Sequence, residues 1–171
     1  LSLATPESRS VTICRRTLHL PYRGEDVFDL ISDVRRYPDF VRWLRRLRVI
    51  SEQTREDGWT GRAETTVGFG GFSETFTTDI AAKRSSMTVD VALVRGPLRR
   101  LTNRWRITPT PTGSTVDFHI DFEFRNFLLQ ALAESNRDFA VQRLIECFLE
   151  EAERRFGSAK RLVDQRPDAS V

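Results

Sequence analysis

A chain of 171 residues, 39% hydrophobic and 30% charged, is long enough for one buried core and too short for two, and its composition is not that of a disordered chain. The formal net charge is only +3, which excludes a polycation that holds DNA by charge alone, although all but two of the 27 basic residues are arginine. No run of about 18 apolar residues is present to cross a membrane as a helix, and two cysteines are too few for a disulfide scaffold.

Residues 1–10 are small and polar and are expected to form a flexible arm, followed by one domain over 11–157. Val11 to Leu20 reads as a strand that Pro21 ends. From Gly24 the period changes: Val27, Leu30, Ile31 and Val34 make one apolar stripe on a short helix. Pro38 blocks its continuation, and residues 37–44 form a second short helix or turn carrying Tyr37, Phe40 and Trp43.

Five strands follow, over 48–54, 59–69, 72–82, 87–94 and 98–108, with turns at Asp57-Gly58, Gly70-Gly71, Lys83–Ser86 and Gly96-Pro97. Val116 to Arg125 is a further strand, its Val, Phe and Ile residues alternating strictly with polar ones. A helix is predicted from Phe127 to Phe156, capped by Asn126, with Val141, Ile145, Phe148, Ala152 and Phe156 on its apolar stripe. Glu134 to Asp138 suggests a bend in it, Gly157 a stop, and 158–171 a disordered tail. The order predicts an α+β fold in which a curved antiparallel sheet of about seven strands wraps around the long C-terminal helix.

Catalytic chemistry has little to stand on. His19 and His119 lack a partner at metal-ligand spacing, and no G-x-S-x-G, Walker loop or dinucleotide fingerprint occurs. No catalytic residue, metal or required cofactor is expected. Cys14 and Cys147 sit in apolar patterns and read as buried thiols of a reducing compartment. Residues 1–20 lack the basic start and apolar centre of a signal peptide, so a cytoplasmic, non-secreted protein is expected.

Two constellations invite a functional reading. Glu74 shares a strand face with Phe72 and Phe76, and Asn103 shares one with Trp105; inward, they would offer polar contacts to the head of an apolar ligand. Arg42, Arg45 and Arg46 adjoin Tyr37, Phe40 and Trp43, and Arg99 and Arg100 follow Gly96-Pro97. Arginines interleaved with aromatics suit a membrane surface or ribosomal RNA, while a solvated basic rim explains them equally.

Ile31-Ser-Asp-Val-Arg-Arg-Tyr37-Pro38-Asp39-Phe40-Val-Arg-Trp43 resembles the signature of the ubiquinone-binding START-like proteins, a group that includes oligoketide cyclases and a ribosome-association toxin. Val67-Gly68-Phe69, Glu74-Thr75-Phe76-Thr77, Gly96 to Trp105, Val116 to Phe124 and the closing helix continue the resemblance over 11–157 in the same order. The sequence departs from the pattern at Arg42 and Leu44, where the family usually has Pro and Cys, and at Leu98, where it has an aromatic residue.

The resemblance implies the helix-grip fold and a cavity between sheet and helix that binds a ubiquinone-like prenyl lipid. Tyr37, Phe40, Trp43, Phe69, Glu74, Phe76, Asn103, Trp105, Phe118, Phe122, Val141, Ile145 and Phe148 are then the expected ligand contacts. A non-catalytic carrier that supports respiration is expected, and because such a carrier of a water-insoluble lipid must load at a bilayer, peripheral contact with the bacterial inner membrane is expected with it. The alternatives are a ribosome-binding interaction protein and a polyketide cyclase; the cyclase needs an inward acid–base pair that the sequence does not display.

Overall fold

The computed structural model describes residues 11–69 and 71–164. The elements are β1 (Thr12–Leu20), α1 (Gly24–Ser32), a 3-10 turn (Val34–Arg36), α2 (Tyr37–Phe40), β2 (Leu44–Arg55), β3 (Gly58–Phe69), β4 (Phe72–Lys83), β5 (Thr88–Arg95), β6 (Leu98–Thr110), β7 (Gly113–Phe124) and α3 (Phe127–Asp164). The strands form one antiparallel sheet in the order β1-β7-β6-β5-β4-β3-β2. Only the pairing of β1 with β7 joins strands distant in sequence. The predicted α+β helix-grip architecture is therefore the one observed.

The pairing register decides which residues share a face. Trp105 stands opposite Val89 on β5 and Phe118 on β7, and Phe118 opposite Arg16 on β1, so one row crosses the sheet on its inner side. Successive side chains point to opposite faces, which sends the alternating Val116, Phe118, Ile120 and Phe122 inward and Asp117, His119 and Asp121 outward. The outer face closes by ion pairs: Arg62 with Asp79 at 2.7 and 3.0 Å, Arg104 with Asp90 at 2.5 Å, and Arg100 with Asp121 at 3.0 and 3.2 Å. The exposed Arg62–Asp79 and Arg104–Asp90 pairs are worth about 0–1 kcal/mol each, so they satisfy charge more than they stabilise.

All hairpin turns after β2, β4 and β6 lie at one end of the sheet, where α1 is buried through Val27, Phe28, Leu30 and Ile31. Arg84 holds α1 to the β4–β5 turn by an ion pair with Asp29 at 2.7 Å while stacking 4.8 Å from the Phe28 ring. This end is closed. At the other end lie the β3–β4 and β5–β6 turns, the start of β2 and the start of α3.

The structure corrects two expectations. The predicted stop at Gly157 and the tail from 158 give way to a helix that continues to Asp164; one interior glycine costs about 1 kcal/mol, too little to end a helix with helix-forming neighbours. The helix is continuous through Glu134 to Asp138. β2 begins at Leu44, not Arg48, because Leu44 pairs with Val67 across a bulge. The arm at 1–10 and the end of the tail, 165–171, lie outside the described residues.

Candidate functional site

The inner face of the sheet has two halves. Toward the closed end Ala63, Ile80, Val89, Trp105, Ile107, Val116 and Phe118 are buried in the core cluster with α1 and with Ile145 and Phe148 of α3. Toward the open end Val67, Phe76, Leu93, Leu101, Phe122 and Phe124 are only half-buried, and none of them packs against that cluster. Their registers place them on the same inner face: Val67 opposite Glu74, Leu93 opposite Thr78, and Phe122 opposite Leu101. The result is an apolar trough that water reaches from the open end and that the core closes below.

Its floor is an aromatic layer. Phe148 of α3 meets Tyr37 at 5.0 Å, Phe40 at 5.1 Å and Trp105 at 4.9 Å between ring centroids, and Trp105 meets Phe118 at 4.5 Å. The Tyr37 hydroxyl donates to the Ile31 carbonyl, and burial first, with the Asp33 charge second, drives its pKa far upward, so it stays neutral. α2 is thereby tied to both α1 and α3. Within α3 itself, Glu151 receives Arg154 at 2.6 Å and Arg155 at 2.7 Å; the Arg154 hydrogen bond, against a burial penalty and with help from Arg155, lowers its pKa to about 2.

The trough carries few polar groups. Thr65 and Thr78 are buried on the inner face, and Asn103 and Glu74 are half-buried there. The Asn103 side-chain amide donates to the His119 carbonyl at 2.9 Å, which leaves its carbonyl oxygen free to accept. Glu74 has no hydrogen-bond or ion-pair partner among the described residues. His119 is outside, taking the Arg15 Nε–H at 3.2 Å, and His19 lies beside Thr115 at the edge strand. Among the described residues no three His, Cys, Asp or Glu side chains cluster as a metal site would.

The expected contact residues thus separate into two groups. Phe76, Phe122, Glu74 and Asn103 line the trough. Trp105, Phe118, Val141, Ile145 and Phe148 are buried in the core, and Tyr37, Phe40 and Trp43 pack half-buried against it. Phe69 ends β3 opposite Phe72 at the open end. The trough residues Val67, Leu93, Leu101 and Phe124 escaped the expected set, although the alternation of their strands carried the signal.

The basic residues do not form one patch. Arg45 and Arg46 are on β2 and Arg99 and Arg100 on β6, four strand spacings or about 19 Å apart. Arg42 faces Glu150 at 3.7 Å, Arg99 faces Glu123 at 3.8 Å, and Arg100 is held bidentately by Asp121. Burial opposes ionisation of Asp121, but Arg100 and the Thr102 hydroxyl outweigh it and hold the carboxyl below its ordinary pKa. Two further recesses lie outside the trough: a groove of about 950 Å³ among the paired charges of the outer face, and one of about 1330 Å³ between the β1–α1 connection and the β6–β7 turn.

A curved sheet gripping a long helix above an apolar trough is the architecture of START-like proteins. Residues 20–149 match the family described as polyketide cyclase / dehydrase and lipid transport, and the chain belongs to that family. It is 30% identical over 146 residues to the mitochondrial coenzyme Q-binding protein coq10 of Schizosaccharomyces pombe, covering 84% of this chain and 88% of that one. It is 32% identical over 116 residues to the ribosome association toxin RatA of Escherichia coli K12, covering 67% and 70%. Among solved structures, the 18 kDa protein CC1736 of Caulobacter crescentus is 34% identical, with a TM-score of 0.71 over 86% of this chain and 99% of that one.

Proposed function

We propose that this protein binds the prenyl chain of a ubiquinone-like lipid in the trough and carries it without chemical change, in support of respiratory electron transport. The observation that carries the reading is the half-buried inner face at the open end, apolar side chains that water still reaches and that lie outside the core cluster. Each isoprene unit placed there would remove on the order of 100 Å² from water, worth roughly 2.5 kcal/mol before the costs of binding. Asn103 and Glu74 supply polar contacts for a quinone head. The coenzyme Q-binding name of the yeast relative points the same way.

A cyclase would need an acid and a base converging on the substrate. The titratable group that the described residues place on the inner face of the trough is Glu74, and both histidines are elsewhere. Ribosome association is the second reading, favoured by the name of the bacterial toxin relative and by the arginines at the open end.

The test is direct. Solvent extraction of the purified protein followed by mass spectrometry should yield a prenyl quinone, and adding a short-chain quinone should quench Trp43 and Trp105 fluorescence saturably. A protein that releases no prenyl lipid and shows no saturable quenching does not carry one.

A further inference from the structure

The exposed large apolar side chains are distributed unevenly. Apart from Ile50 in mid-strand and Phe139 farther along α3, those among the described residues all lie toward the open end: the start of β1, Phe72, Val94, and Phe127, Leu128 and Leu132 on α3. Phe127 is 77% exposed, Leu128 68% and Phe72 54%. The turns at the closed end carry none of them. The helix start is not loose, because the Asn126 side-chain oxygen accepts from the Leu128 amide at 2.8 Å and the Leu129 amide at 3.2 Å.

This end also carries positive charge that no carboxylate matches. Arg45, Arg46, Arg95 and Arg125 are exposed and have no carboxylate partner among the described residues. Arg95 donates to the Thr77 hydroxyl and Arg125 to the Leu98 carbonyl. Farther down the outer face, Arg62 and Arg104 are matched to carboxylates across the strands, while Arg55 and Arg106 have no carboxylate partner among the described residues.

We infer that the open end docks on an anionic lipid bilayer, with Phe127, Leu128 and Phe72 entering the interface and the unmatched arginines meeting the headgroups. Aromatic and leucine side chains beside guanidinium groups suit the boundary between headgroup and acyl chain, where both are satisfied at once. The patch also continues into the mouth of the trough, so a docked protein would open its apolar lining directly to the bilayer. This deepens the lipid-carrier reading and rests on it for its purpose, though the docking itself needs only the surface.

Co-sedimentation with vesicles of phosphatidylglycerol and phosphatidylcholine, or of phosphatidylcholine alone, tests it. The proteins are the wild type, Phe127→Ser/Leu128→Ser, Arg46→Gln/Arg95→Gln, and Ile50→Ser as a control on an exposed apolar residue elsewhere. Circular dichroism confirms the fold of each, and quinone quenching in vesicle-free buffer reports the trough separately. The wild type should prefer anionic vesicles. The apolar double variant should bind at least about ten-fold more weakly, and the arginine variant should lose about ten-fold or more and most of its preference for anionic lipid. Ile50→Ser should match the wild type, and quenching should be unchanged throughout.

Equal binding to neutral and anionic vesicles, or no loss in both double variants, overturns the docking while leaving the carrier reading intact if quenching persists. So does a wild type that ignores vesicles but dimerises, or binds ribosomal subunits, through the same side chains. Vesicle binding without any quenching would retain the docking and remove the carrier.

Discussion

Truncating two phenylalanines that the sequence places in the same class should separate core from site. Phe148 is 5% exposed and touches three aromatic rings within 5.1 Å, so Phe148→Ala leaves a cavity at the junction of α2, α3 and the sheet. Such truncations cost about 3–5 kcal/mol, a large part of the roughly 5–15 kcal/mol that holds a domain folded. At about 2–4 °C per kcal/mol for a chain of this length, Tm should fall by about 10 °C. Phe122 is half-buried, with one ring neighbour, Phe124, at 5.9 Å. Part of its surface is already in contact with water, so Phe122→Ala should cost less, about 1–2 kcal/mol. It should, however, weaken quinone binding by about ten-fold, because it removes apolar surface that only a ligand covers. Urea unfolding followed by tryptophan fluorescence, with quinone quenching on the same samples, measures both. If Phe122→Ala destabilises as much as Phe148→Ala, the trough is closed core and the division of the inner face is wrong.

Two further outcomes follow from the same structure. The Glu151 carboxyl has its pKa lowered from 4.5 to about 2 in the folded protein, so its contribution is complete above pH 4.5 and is lost as pH falls through about 2. Glu151→Gln should therefore destabilise by at most about 3 kcal/mol near neutral pH, and the gap to wild type should close under strong acid in denaturation series across pH. Gly96 has φ of +146°, and a Cβ there would lie 2.6 Å from the Phe76 Cβ, so Gly96→Ala should lower Tm and, by displacing Phe76, weaken quinone quenching in proportion.

The family of this protein could be read from the residues between Ile31 and Trp43 and from the ordered series of motifs after them. Strand and helix types were legible because strict alternation from Val116 to Phe124 and the 3.6-residue stripe on α3 are local properties of the chain, as is the Asn126 cap. So was the sharing of a face by Glu74 and Phe76, or by Asn103 and Trp105, since a strand's pleat sets that without reference to its partners. What alternation cannot say is how far along a face the packing reaches. Phe118 and Phe122 are two turns of one pleat and indistinguishable in pattern, yet the core around Trp105 covers the first and leaves the second half-open. Likewise, whether an arginine is free depends on the carboxylate that pairing brings opposite it. Arg100 meets Asp121, 21 residues away, while Arg46 pairs across to Thr66. Local periodicity determined the elements and their faces; strand register and the docking of the helices against the sheet decided which apolar surface became core, which stayed open as the trough, and which charges were left unmatched, because each of these depends on neighbours distant in the chain.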